Sequence, residues 1–406
     1  MTQLTQRRIA IHFQRYGPYH KARLVSARQA LITIGWEPIG LETASIDAVY
    51  QWQPECHPQQ AGIHTVFPGK AAEQLSQQEI CRSIYQVLNH LNPDAVAIAG
   101  WASHDAIACL EWCLERNKTA LLMSETRAAD GKRIWLKEAI KSWRVNQYHG
   151  ALVGGGSHET YLRSLGFRGP IAHGYDVVDN QYFHKESSRW LANDQQSGPS
   201  IRPYILASNR FVQRKNLTLL LKAYAAVARL DSSTYGSAVD LCLLGDGPER
   251  SAIQSTCQVL NLPVVEAPPW RVEVNHISGS TGPRVFLPGF CQIEILPRFY
   301  AYACCFVHPA ISEPWGLVIN EAMASGLPVL CSANTGAAEE LVVEGLNGMT
   351  FNPLDVNSIS RALSRFLCQD MSTNAYWGQA SFHILEKRCP LASFGNGLAS
   401  LLLHEA

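Results

Sequence analysis

Short apolar runs alternate with amphipathic stretches along the whole chain. The first series of runs is RRIAIHF (Arg7–Phe13), Ile63–Phe67, Asp94–Ala99, Ala120–Met123, Ala151–Val153 and Ile171–His173. Helical periodicity fills the intervals, near His20–Ile34, Glu73–Leu91, Ser103–Glu115, Ile134–Asn146 and Glu159–Leu165. The runs do not alternate apolar with polar, which suits strands covered on both faces of a parallel sheet. The helices between them supply the crossovers that parallel pairing requires.

The texture changes at KESSRWLANDQQSGPSIRP (Lys185–Pro203), whose Ser, Gln, Asn and Pro read as a linker. Alternation then restarts. Strands are predicted at Tyr204–Ala207, Val239–Leu244, Arg284–Leu287, Cys304–His308 and Val329–Ser332, and a helix at Val356–Leu367. Asn261–Pro283 carries four prolines and reads as a surface loop. The tail from Thr373 reads as helical, with a break at Pro390. The expected fold class is α/β, with two tandem doubly wound Rossmann-like domains. The boundaries are 1–186 for the first domain, 187–202 for a linker, 203–372 for the second, and 373–406 for helices packing back on the first. Ligands in such sheets sit at the carboxyl ends of the strands, so a cleft between two such domains is the expected site.

Composition narrows this further. The chain has 406 residues, 47% of them hydrophobic and only 17% charged, with no net formal charge. Such a chain folds into globular domains and offers no bulk attraction to nucleic acid. Any bound anion must be held by a few local cations. Two arginines near the N-terminus precede no sustained apolar stretch, and no run approaches the ~18 apolar residues of a membrane span. The expectation is a soluble, cytoplasmic protein. Twelve cysteines without a C-x-x-C spacing read as reduced thiols, Cys304 and Cys305 lying in a buried strand.

The strongest chemical signal is HPAISEPWGLVINEAMASGLPVL (His308–Leu330). A strand ends near His308, a loop carries Glu313, and a helix opens near Leu317. Free amides and the positive end of that helix make an anion site, and Gly316 allows close backbone approach. Glu313 in the loop and Glu321 past the first helical turn can accept from paired hydroxyls at two heights. The alternative is that Glu321 only supports the helix. In ASNRFVQRKNL (Ala207–Leu217), Arg210, Arg214 and Lys215 cluster between a strand and a helix, which points to phosphate neutralisation or to a solvated basic turn. In LCLLGDGPER (Leu241–Arg250), Gly245 and Gly247 permit approach of a flat ligand such as a nucleobase, or make a plain tight turn.

Together these elements resemble the retaining glycosyltransferases of the GT-B fold, in family four (group 1). The resemblance covers Tyr204–Pro353 and includes the E-x7-E pair Glu313 and Glu321, Arg210 with Lys215, the G-D-G-P turn, LPGF and TGAAEELVVEGLNGMTF. It implies that Arg210 and Lys215 bind the donor diphosphate and that Glu313 holds hydroxyls of the donor sugar. It further implies that amides at Gly316 and Leu317 contact sugar and phosphate, that Glu321 holds the ribose, and that Gly245–Gly247 lies near the base. No cofactor or metal is implied, and the chain contains no D-x-D. The first half matches only in pattern and in HGYDVVDNQYF (His173–Phe183). His173 stands where asparagine is usual, Ala310 where serine is frequent, and Ala337 where a second glycine is common.

The first half is expected to supply the acceptor side. Gly17 and His20 follow the first strand in RYGPYHKAR, and His104 follows a strand ending near Gly100. Ser124–Thr126 is a rival position, and His149 and His158 rank lower. The expected activity is transfer of a sugar from a nucleotide-diphosphate sugar to a hydroxyl on a glycan, a lipid or a small molecule. The alternatives are a nucleotide-sugar epimerase and a non-catalytic nucleotide-sugar-binding protein. A dinucleotide oxidoreductase would need G-x-G-x-x-G after an early strand, which RYGPYHKAR lacks. The low charge, with Trp101 and Trp112 read as exposed, would suit a peripheral membrane contact and a lipid-linked acceptor. Oligomeric state is not legible.

Overall fold

The computed structural model describes residues 6–46, 52–53, 61–194, 201–228, 238–271 and 282–404. The chain divides into two units, Met1–Asp179 with Cys389–Ala406, and Asn180–Arg388.

The first unit carries strands β1 (Arg7–Phe13), β2 (Trp36–Ile46), β3 (Ile63–Ala71), β4 (Ala95–Ala99), β5 (Thr119–Ser124), β6 (Gly150–Val153) and β7 (Ile171–His173). All pair in parallel, in the order β3-β2-β1-β4-β5-β6-β7. Its helices are α1 (Pro18–Ile32), α2 (Gln77–Leu91), α3 (His104–Glu115), α4 (Trp135–Val145) and α5 (Gly156–Ser164). Helix α2 shows the usual logic: Ile80, Ile84, Leu88 and Leu91 recur at helical spacing and are buried, and Ser76 caps its first turn with Glu79. Ile80, Ile84 and Leu88 pack with Val96, Ile98 and Trp112 in one core.

The second unit begins with α6 (Asn180–Asp194) and carries β8 (Tyr204–Ser208), β9 (Asp240–Leu244), β10 (Val264–Val265), β11 (Val285–Phe286), β12 (Ala303–His308), β13 (Val329–Ser332) and β14 (Gly348–Phe351). These too are parallel, in the order β10-β11-β9-β8-β12-β13-β14. Helices α7 (Leu217–Val227), α8 (Arg250–Val259), α9 (Leu296–Tyr302), α10 (Leu317–Ala324), α11 (Gly336–Leu341), α12 (Val356–Leu367) and α13 (Met371–Arg388) surround this sheet. Helix α14 (Ala392–Leu403) returns to the first unit and packs on α1. There Ser26 Oγ donates to Leu391 O at 2.8 Å and Gly395 N donates to Ser26 Oγ at 3.1 Å. A methyl at Gly395 would sit 2.3 Å from Ser26 O, so the helices meet this closely only through glycine.

The α/β class and the doubly wound parallel sheets agree with the sequence expectation. Details differ. The range 187–202 read as a linker is helical through Asp194, because RWLAN continues the helical pattern that starts at Asn180. Residues 195–200 lie outside the described part. Of the tail 373–406, the stretch through Arg388 belongs to the second unit and only the remainder to the first. Pro390 marks the break between α13 and α14, as read. Strand β2 escaped the sequence reading because Pro38, Gly40 and two glutamates interrupt its apolar run. Within Asn261–Pro283 a two-residue strand forms at Val264–Val265, and residues 272–281 lie outside the described part. Trp101 and Trp112 are not exposed. They lie at 7% and 1% exposure in the first core, where the indole N–H of Trp112 donates to Asn89 Oδ1 at 2.9 Å. No described helix is long and apolar enough to cross a membrane.

Candidate active site at the carboxyl edge of the second sheet

In a doubly wound sheet the strand order reverses at one point, and the loops leaving the two strands on either side diverge into a crevice. In the second unit those strands are β8 and β12. The loop after β8 carries Arg210, Arg214 and Lys215, and the loop after β12 carries Glu313. The ammonium of Lys215 hydrogen-bonds Glu313 Oε2, and Arg214 Nη1 reaches the same oxygen at 3.1 Å. Nε2 of His308, at the end of β12, lies 3.8 Å from it.

Backbone contacts fix this arrangement before any ligand arrives. Ile311 N donates to Arg214 O at 2.9 Å, and Glu313 N donates to Asn334 O at 3.2 Å. Gly336 N donates to Glu313 O at 3.1 Å. Asn216 adopts φ +59°, a conformation asparagine tolerates, and its amide donates to Pro309 O at 3.2 Å and Pro353 O at 2.7 Å. Four loops are thereby tied together around one carboxylate.

Burial by itself would raise the pKa of Glu313. The nearby His308 imidazole and the charges of Lys215 and Arg214 more than offset it and hold the carboxyl well below the usual range. Burial pushes the Lys215 ammonium and the His308 imidazole down, with Glu313 opposing both shifts. The site thus holds an ionised carboxylate beside a cation that is costly to keep desolvated. A second anion beside Lys215 would relieve that cost.

Gly316 precedes α10 with φ +100°, and a methyl there would lie 3.1 Å from Thr335 Cγ2. A glycine cap brings no side-chain acceptor to the first-turn amides that follow, Leu317 first among them. Glu321 is the fifth residue of α10 and is 1% exposed, accepting from the Tyr300 hydroxyl at 2.8 Å. The two glutamates are therefore unequal: Glu313 is bound by cations, and Glu321 is held beneath a tyrosine. Gly245 and Gly247 adopt φ +131° and +153°. What approaches them is protein backbone: a methyl at Gly245 would lie 1.9 Å from Asn209 O, and one at Gly247 2.6 Å from Phe211 O. These glycines seat the loop after β9 against the one carrying Arg210.

In the first unit, Gly17 caps α1 and its N–H donates to His20 Nδ1 at 3.2 Å. His104 opens α3 and is exposed. His149 and His158 accept from Ala120 N and Gly155 N, both at 3.1 Å, and so serve the backbone. Sequence reasoning missed a buried relay across the corresponding reversal, between β1 and β4. His12 Nε2 lies 3.1 Å from Thr43 Oγ1, which donates to Asp105 Oδ2 at 2.8 Å. Burial opposes ionisation of Asp105, but His12, Ser103 and Thr43 hold its carboxyl well below the usual range. It also missed His308 and Tyr300. A histidine ending a strand was the available signal for His308; nothing local marks Tyr300.

Two doubly wound α/β units, one with a cation–carboxylate pair at its sheet reversal, define a class of α/β protein whose ligand crevice lies at that reversal. The matches to known proteins narrow it. Residues 202–369 match the family model described as Glycosyl transferases group 1. A sucrose synthase from Denitrovibrio acetiphilus is 27% identical over 194 residues, 46% of this chain and 23% of that one. A sulfoquinovosyl transferase from Arabidopsis thaliana is 38% identical over 110 residues, 26% of this chain and 21% of that one. The O-antigen chain mannosyltransferase B of Escherichia coli is 42% identical over 82 residues, 20% of this chain and 21% of that one. The chain thus spans under a quarter of the length of each of these relatives. Among solved structures, a sucrose-phosphate synthase from Thermosynechococcus elongatus superposes with TM-score 0.71 at 18% identity, covering 98% of this chain and 99% of that one. Anabaena HepE in complex with UDP and glucose gives 0.70 at 15%, covering 98% and 100%. These likenesses establish the fold as GT-B.

Proposed function

We propose that the protein is a retaining glycosyltransferase, moving a sugar from a nucleotide-diphosphate sugar to an acceptor hydroxyl. The observation that carries the reading is the Lys215–Glu313 pair at the sheet reversal, inside the group 1 domain. The complexes of HepE with UDP-glucose and of an Escherichia coli trehalose-6-phosphate protein with UDP-2-fluoro glucose support the donor class.

On this reading the departing diphosphate gains negative charge, which Lys215, Arg210 and the amides at Gly316 and Leu317 meet. Lys215 exchanges part of its bond to Glu313 for the phosphate, and Glu313 accepts from donor-sugar hydroxyls. Glu321, held by Tyr300, receives the ribose, and the Gly245–Gly247 loop borders the base. Gly17, His20 and His104 serve the acceptor side. Glu313 is too firmly ion-paired to act as a nucleophile on the anomeric carbon. Attack then comes from the leaving-group face, with a phosphate oxygen taking the acceptor proton. The cations do the work of a metal, so the reaction needs none.

The test is incubation with a panel of nucleotide sugars and sugar or sugar-phosphate acceptors, with the product anomer read by NMR. Retained configuration and turnover unaffected by EDTA are expected. An inverted product, or interconversion of the donor alone to an epimer, would overturn the reading.

A further inference from the structure

Helix α4 is built inside out. At 100° per residue, Trp135, Leu136, Ala139, Ile140 and Trp143 fall on one arc of about 140°. In an ordinary surface helix that arc would face the core, as it does in α2. Here it faces solvent: Trp135 is 80% exposed and Trp143 66%, with Leu136 and Ile140 also exposed. The inward face is mostly polar, with Val145 as its buried apolar residue. Tyr161 OH donates to Glu138 Oε2 at 2.8 Å, and Lys141 Nζ lies 2.8 Å from Glu138 Oε1. Ser142 Oγ donates to Leu165 O at 2.6 Å. Arg133 braces the approach to the helix through Tyr161 OH at 2.7 Å. Hydrogen bonds hold the helix to the fold and leave its apolar arc outward. Single exposed apolar residues are commonplace, but a contiguous stripe with two tryptophans marks an interaction surface.

The charges around the stripe select the partner. KRIWLKEAIKSWR (Lys132–Arg144) carries five cations and one carboxylate in a chain whose net charge is zero. Lys132 and Lys137 are exposed beside the tryptophans. A short helix with Trp and Leu on one arc and Lys and Arg on its flank suits the headgroup layer of an anionic bilayer. At 11 residues it is about 16 Å long, too short to span one.

We propose that α4 docks the first unit onto an anionic lipid surface, with Trp135 and Trp143 inserted at headgroup depth and Lys132 and Lys137 against the phosphates. The test is flotation of the full chain with phosphatidylcholine vesicles and with vesicles containing a third phosphatidylglycerol. Wild type is expected to float with the anionic vesicles and to weaken with salt. Trp135→Ser with Trp143→Ser should abolish flotation, and Lys132→Gln and Lys137→Gln should each weaken it about fivefold. These side chains are exposed, so unchanged melting temperatures will show that the variants fold. No flotation, equal flotation of the tryptophan variant, or indifference to lipid charge would overturn the proposal. So would a wild-type dimer in sedimentation that the tryptophan variant converts to monomer, since a second copy would then cover the stripe. Binding is read without donor or acceptor, so the outcome is separate from that of the transfer assay.

Discussion

Lys215 and Glu313 lie 98 positions apart in the chain and share one hydrogen bond across the reversal of the second sheet. Each is about nine-tenths buried. Removing one partner strands the other. Lys215→Met should lower turnover by about two to three orders of magnitude. It should also cost about 2–4 kcal/mol of stability, less than a fully isolated pair because Arg214 still reaches Glu313. In a double-mutant cycle with Glu313→Gln, urea denaturation should give a coupling of about 1–3 kcal/mol. Additive effects would mean the pair is incidental.

Tyr300 is expected to act through Glu321. Tyr300→Phe removes a donor from a buried carboxylate and should cost about 1–3 kcal/mol. Donor KM should rise with kcat little changed, and Glu321→Ala should show the same split more strongly. A fall in kcat alone would remove Glu321 from the donor site.

Gly245→Ala should destabilise by about 2 kcal/mol or more, because the methyl would meet Asn209 O in a backbone conformation that alanine resists. Chemical denaturation reads this directly. The adjacent Arg210 would shift too, so residual activity should fall further than stability does.

His20 gives a signature in pH. Burial, with the charges of Arg23 and Arg15 added, lowers its pKa from 6.5 to about 3. The unfolded chain therefore binds more protons than the folded one between these values. Stability should fall as pH drops below about 6.5 and level off near 3. His20→Gln, which keeps an acceptor near the Gly17 amide, should flatten that slope in melting curves taken between pH 7 and 5. An unchanged slope would place the acid sensitivity elsewhere.

The fold was legible where a strand is covered on both faces, since β4, β5 and β12 carry unbroken apolar runs. It was not legible at β2, where Glu42 and Thr43 belong to polar networks that no local pattern announces. The site was legible in its charged members because E-x7-E and the arginine–lysine pair sit in loops at fixed distances from strands. Glu313 and Lys215 show their identities in the sequence, but that they bond each other is a fact of sheet topology. The outward stripe of α4 was hidden differently. Ile134–Asn146 reads as an ordinary amphipathic helix, and periodicity cannot say which face turns inward. Tyr161 and Leu165, binding the polar side, and Val145, seated in the core, decide it.

The discontinuity of the first unit bears on the order of synthesis. Residues 180–388 form the second unit and are contiguous, so they can fold as soon as they leave the ribosome. The first unit waits with α1 uncovered until α14 has been made, more than two hundred residues later. Shortening the chain at Arg388 should therefore spare the second unit and leave the first one open to protease. During translation the older half of the protein is the last to mature.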